Sequence, residues 1–193
     1  MSKFGRPKPL WITEINWNTP ISGYGTPELK QADLLVRFYA LALGSQRIQK
    51  IFPWGFRDTG AVETNMGHMV GLVRQDLTPR YSFYAQAWMA HLLEGKRWVR
   101  NEIWGPYDYA AVFADEAAGE ETMVAWTTRP YAYLEVPNRK GLVFHDIFGT
   151  RRSVFADPKR PHVVAPLGGS PVYITGARGL NTAIREGPGE HWV

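Results

Sequence analysis

The sequence predicts an α/β segment followed by an all-β domain: two strand and helix pairs over residues 1–95, then an antiparallel β-sandwich over residues 96–193. Three observations lead there. Two short apolar runs each precede a stretch with apolar residues at helical spacing. After Gly95 the apolar period drops to two. Across that second half no helical stretch recurs, and short alternating segments are separated by Gly, Pro, Asn or Asp.

The first run, "PLWITEIN", suits a strand buried on both faces. A loop rich in Gly and Pro follows. Thr26 and Pro27 then read as the cap and first turn of a helix whose stripe is Leu34, Leu35, Phe38, Tyr39, Leu41 and Ala42, with Gly44 as its C-cap. The second run, "RIQKIFPWGF", reads as a strand ending near Trp54, because Pro53 cannot donate to a ladder. An irregular loop over residues 57–76 leads to Thr78 and Pro79, which read as the start of a second helix carrying Tyr81, Tyr84, Trp88, His91 and Leu92 and ending at Gly95. This β-α-β-α order is the repeat of a parallel sheet or barrel. Eight strand segments follow: "RWVRNEIW", "YDYAAVFA", "ETMVAWTT", "YAYLEV", "GLVFHDI", "RRSVFA", "HVVAPL" and "PVYITG". Trp88, Trp98, Trp104 and Trp126 fall at core spacing and read as packing residues.

Composition narrows the function classes. At 193 residues, 45% of them hydrophobic, the chain can bury a sizeable core. No window reaches the roughly 18 apolar residues of a membrane span, and "MSKFGRPKP" lacks the apolar core of a secretory signal, so the compartment stays open. Cysteine is absent, and the five histidines (His68, His91, His145, His162, His191) are scattered without ligand spacing, so neither a metal site nor any other cofactor is expected. A net charge of +4 is spread in ones and twos, without the interleaved basic and aromatic stripe of a nucleic-acid surface.

The order of these pieces resembles the end of a retaining glycoside hydrolase of the large clan built on a (β/α)8 barrel, of the β-xylosidase-like or cellulase-like type. In that clan the seventh strand ends in Thr-Glu, followed by Gly or Asn and an aromatic. Here the matching residues are Thr13, Glu14, Asn16 and Trp17. The eighth strand ends in a Trp that floors the sugar subsite, followed by a loop Asp and a phrase opening the last helix, matched by Trp54, Asp58 and "GLVRQDLTPRYSFYAQA". A trailing sandwich with a Trp strand and a closing strand is matched by Ala125-Trp126 and "PVYITG".

The resemblance implies that residues 1–95 are the last two units of such a barrel and that Glu14 is its nucleophile. A complete barrel takes about 250 residues. Six units, with the acid/base residue at the end of the fourth strand, are therefore expected upstream of Met1, and the chain is expected to be a fragment inactive alone. Asn101-Glu102 imitates the acid/base dipeptide, but it follows the last helix and reads as a sandwich strand.

Retaining hydrolysis needs two carboxyl groups about 5 to 5.5 Å apart, one attacking and one protonating. Glu14 is the candidate for the first; for an isolated Glu the alternative is a solvated surface carboxylate. Trp54 suits stacking on a pyranose, and Trp17 and Tyr24 suit subsite walls. Asn16, Asp58 and His68 are candidate substrate ligands, against a loop-fixing role for each. The expected partners are a carbohydrate substrate and either an upstream barrel segment or further copies of the chain, with no nucleic acid and no membrane. A second reading is a non-enzymatic carbohydrate-binding or interaction module built on the sandwich.

Overall fold

The computed structural model describes residues 5, 8–20, 25–61, 65, 67–130, 132–156 and 161–186. The chain divides into two compact units, Met1–Phe83 and Tyr84–Val193. No helix among the described residues is long and apolar enough to cross a membrane.

The first unit is a parallel strand pair joined by a helix. Strand β1 (Leu10–Ile15) pairs with β2 (Ile48–Pro53) through the registers Trp11↔Lys50, Ile12↔Ile51 and Ile15↔Pro53, and α1 (Glu28–Gly44) is the crossover. A parallel pair needs such a connection because the chain must return to the starting end before it can pair again. Two strands do not close a barrel. Consequently β1 is not buried on both faces as its composition suggests: all six residues are exposed or half-buried, with Leu10 at 54% and Trp11 at 53% exposure. The Trp11 ring instead contacts Phe52 at 6.2 Å and carries the Lys50 ammonium at 4.5 Å.

Helix α1 departs from expectation at both ends and along its stripe. It starts at Glu28 with Pro27 in the N-cap position, and the cap receives no side-chain hydrogen bond. Gly44 remains helical. Ser45 closes the helix with its hydroxyl on the Ala42 carbonyl at 2.6 Å, and Gln46 takes the left-handed conformation at φ 56°. The buried side is Gln31, Ala32, Asp33, Leu35, Val36, Ala40 and Ala42, whereas Leu29, Leu41 and Leu43 are exposed. A helix this apolar all round normally has cover on most sides.

The second helix, α2 (Tyr81–Leu93), begins two residues later than Thr78 and Pro79 suggest. The Thr78 amide and hydroxyl both bind Asp76 Oδ1, at 2.9 and 2.7 Å, and Pro79 sits in an antiparallel bridge with Val73. Those bonds form an Asx-type turn that competes with helix capping.

The second unit is antiparallel throughout its strands. Strands β3 (Arg97–Glu102), β4 (Asp108–Asp115), β5 (Glu120–Thr127), β10 (Val172–Thr175) and β7 (Val143–His145) form one sheet in the order β3-β4-β5-β10-β7. The other sheet runs β11-β6-β9-β8, from β6 (Ala132–Pro137), β8 (Phe155–Ala156), β9 (His162–Leu167) and β11 (Ala183–Glu186). Strand β11 has no counterpart in the sequence reading. Inward residues of both sheets, among them Val112, Met123, Leu134, Val136, Val163 and Ile174, share one apolar cluster. Burying each large member contributes about 1.5–3 kcal/mol.

The two sheets differ outside that core. Strand β9 alternates cleanly, but the outward Phe113, Val124 and Tyr173 of the five-stranded sheet are as buried as the inward residues. Burial pushes the Tyr173 phenol far above its usual range. Of the four expected packing tryptophans, Trp126 is fully buried and stacked on Tyr109 at 5.2 Å, and Trp104 packs against the shared core.

Trp88 of α2 lies against the turn after β7, where Gly149 adopts φ +90° and a Cβ would meet the indole at 2.8 Å. Gly149→Ala should therefore destabilise the second unit by about 2–4 kcal/mol, combining left-handed strain with a clash. Gly95→Ala, at φ +74° with open space around it, should cost only about 1–2 kcal/mol. Urea titrations of both variants check this, and equal losses would refute the Trp88 contact as the cause.

Candidate functional site

Because β1 and β2 run parallel, their C-terminal ends lie side by side. The last ladder bond there runs from the Trp54 amide to the Ile15 carbonyl, 3.0 Å. Glu14, Asn16, Trp17 and Trp54 are thereby brought to one end of one small sheet.

Glu14 is exposed, and no described residue donates to its carboxylate or pairs with it. Trp54 is 48% exposed. Trp17 is half-buried, its ring edge-on to Phe38 of α1 at 6.1 Å. Tyr24 lies outside the described residues.

Asn16 faces its own chain. Its Nδ2 donates to the Trp54 carbonyl at 2.8 Å and to the Val70 carbonyl, while Oδ1 accepts from the Trp17 amide at 2.8 Å and from Gln31 Nε2 at 3.3 Å. Two donors and two lone pairs are thus all engaged.

Asp58 is buried at the start of the long loop. Its Oδ1 accepts from the Gly71 amide at 2.8 Å and its Oδ2 pairs with Arg80 at 2.6 Å. His68 packs against Gly60, where an added Cβ would meet the ring at 2.5 Å, and its Nε2 lies 3.4 Å from Asn65 Nδ2. These two side chains hold the loop.

The sequence reading missed a charge ladder beside them. Arg74, Glu28, Arg80 and Asp58 alternate in sign, with Arg74 2.5 Å from Glu28 and the nearly buried Arg80 bridging Glu28 and Asp58. They border a cleft of about 380 Å³ that Thr19, Met69 and Asp76 also line, and that neither Glu14 nor Trp54 reaches. Hydrogen bonds from the Thr78 hydroxyl and amide hold the Asp76 carboxyl below its usual range. No sequence signal links Glu28 to a partner 52 positions away.

The carboxylates among the described residues of this unit are unequal. Glu28 and Asp58 are paired with Arg74 and Arg80, Asp76 is engaged by Thr78, and Asp33 is buried in α1, whereas Glu14 stands exposed. An exposed, ionised carboxylate is chemically able to act as a nucleophile, and an exposed indole offers a stacking face. Among the described residues no group of three or more His, Cys, Asp or Glu could hold a metal ion. Glu102, which imitates the acid/base position, is tied to Arg100 at 2.8 Å within β3.

No family model and no curated protein matches the chain. Among solved structures, a family 39 glycoside hydrolase from the gut symbiont Bacteroides cellulosilyticus WH2 is similar over 90% of this chain, with a TM-score of 0.75 and 24% identity. The match spans 35% of that chain, so this chain is similar in fold to about a third of that longer protein.

Arg80→Met should destabilise the first unit by about 3–5 kcal/mol, because it strands the buried Asp58 carboxylate and leaves Glu28 to Arg74 alone. Arg74→Ala, at the exposed end of the ladder, should cost less than about 1 kcal/mol. Chemical denaturation of the two variants distinguishes them, and a mild Arg80→Met would refute the ladder as a stabilising unit.

Proposed function

We propose that this chain is the C-terminal part of a retaining glycoside hydrolase acting on O-glycosidic bonds, with residues 1–95 as the last two units of its (β/α)8 barrel and residues 96–193 as a trailing β-sandwich domain. The observation that carries this reading is the exposed, unpartnered Glu14 at the C-terminal end of a parallel strand, with the exposed Trp54 at the same end of the neighbouring strand. That end is where barrels of this kind carry their catalytic side chains. The likeness in fold to a family 39 glycoside hydrolase supports it.

In this reading Glu14 attacks the anomeric carbon as the bond to the leaving oxygen breaks. Trp54 and Trp17 hold the sugar by its apolar face, and Tyr24 and His68 are further substrate-binding residues. Asn16 and Asp58 fix the loops that present them. The acid that protonates the leaving oxygen, and returns as base for the attacking water, comes from a segment outside residues 1–193.

The exposed apolar residues agree with such a neighbour. Leu10, Trp11, Phe52, Trp54 and Phe56 are each between 44% and 61% exposed. Parallel sheets are ordinarily covered on both faces, and patches this large mark contact surfaces. Free in solution the chain should self-associate, and sedimentation at rising concentration should show a growing weight-average mass; a strictly monomeric species would count against the missing neighbour.

A leaving group that needs no proton separates the nucleophile from the absent acid. A 2,4-dinitrophenyl 2-deoxy-2-fluoro-β-glycoside should add one glycosyl unit to the peptide containing Glu14, and Glu14→Ala should take up none, as read by mass spectrometry. Ordinary 4-nitrophenyl β-glycosides should not turn over. Saturable sugar binding without labelling, lost in Trp54→Ala and unaffected by Glu14→Ala, would instead favour the carbohydrate-binding module.

A further inference from the structure

The helix α1 contributes one fully buried amide to the strand ends. Gln31 has no exposed surface, and its Nε2 donates to the Trp17 carbonyl at 2.7 Å as well as to Asn16 Oδ1 at 3.3 Å. The orientation of both amides follows from their partners. Asn16 Nδ2 meets two carbonyl oxygens and Oδ1 meets a backbone N–H, so neither group can be reversed without losing bonds.

Placement makes the pair more than a local tie. Beyond the final backbone bond of the β1–β2 ladder, the Asn16 side chain supplies the next link to β2, on the Trp54 carbonyl. Gln31 then braces both Asn16 and the residue after it. Glu14 lies two positions before Asn16, and Trp54 is the residue gripped on the opposite strand, so the clamp spans the two groups that would meet a sugar.

Gln31 Oε1 is buried without a hydrogen-bond partner. An apolar side chain of equal length would remove that unsatisfied acceptor. The donor function of Nε2 is what an amide supplies here and an apolar residue cannot.

We infer that Gln31 is a positioning residue, which acts through Asn16 to set the separation and orientation of the Glu14 carboxylate and the Trp54 ring. The inference rests on the glycosidase reading for its chemical consequence. The clamp itself does not, so the two can fail separately.

The test compares the chain with Gln31→Met and Gln31→Glu by amide hydrogen exchange at Trp17 and Trp54 and by the rate at which the fluorinated dinitrophenyl glycoside labels Glu14. Gln31→Met should exchange faster at both amides, with Ile12 and the strands of the second unit unchanged. Labelling should slow by about tenfold or more, as expected when a nucleophile loses its alignment. Gln31→Glu is isosteric, and its protonated carboxyl can donate to the Trp17 carbonyl. Relative to the unaltered chain at each pH, it should behave normally in acid and like Gln31→Met once ionised.

Unchanged exchange in both variants would overturn the clamp. Faster exchange with undiminished labelling would make Gln31 structural only and overturn the positioning role. Faster exchange in a chain that never labels supports the clamp and removes the glycosidase reading instead.

Discussion

A parallel pair of strands cannot be closed by a tight turn, and the rest of the first unit follows from that constraint. The chain has to travel back before β2 can form, and α1 is the return path. Both strands then finish at the same end. Residues 38 positions apart, Asn16 and Trp54, become neighbours there, two positions along β1 from the exposed Glu14. Among the described residues this sheet has only the two strands, and a run as apolar as "PLWITEIN" is left poorly covered.

The loop between β2 and α2 meets a different problem, that of ordering a long stretch without regular structure. Its solution is polar. Asp58 binds the Gly71 amide and Arg80, Arg80 reaches Glu28 at the start of α1, and the Arg57 side chain caps the Gln75 carbonyl at 2.7 Å. Charges this deep are tolerated because each is paired and hydrogen-bonded. These charged side chains are engaged within the protein, whereas Glu14 is exposed.

The second unit is held by the opposite means. Its two sheets share one apolar cluster. Asp108 accepts from the Thr127 hydroxyl at 2.7 Å and pairs with Arg129 at 2.9 Å, which fixes the start of β4 against the end of β5. Asp146 accepts the amides of Phe148 and Thr150, and this turn cuts β7 to three residues although the apolar run is longer.

Apolar period, proline placement and turn residues are local properties, and they were enough to mark both helices, the two parallel strands, the strands β3 to β10 and the change of architecture near Gly95. Thr13-Glu14 and Trp54 drew notice through the resemblance to a retaining glycoside hydrolase, which the order and spacing of several short motifs carry. Strand β11 escaped because four residues ending in a charged pair carry almost no periodic signal. The early helix starts at Thr26 and Thr78 failed because a cap residue's hydrogen bond can be claimed elsewhere, as Asp76 claims Thr78. Exposure of β1, the Arg80 ladder and the Asn16–Gln31 clamp were decided only by tertiary structure. Each depends on which distant groups arrive within bonding distance, and a carboxylate or amide looks the same in sequence whether it faces water, an arginine or a backbone carbonyl.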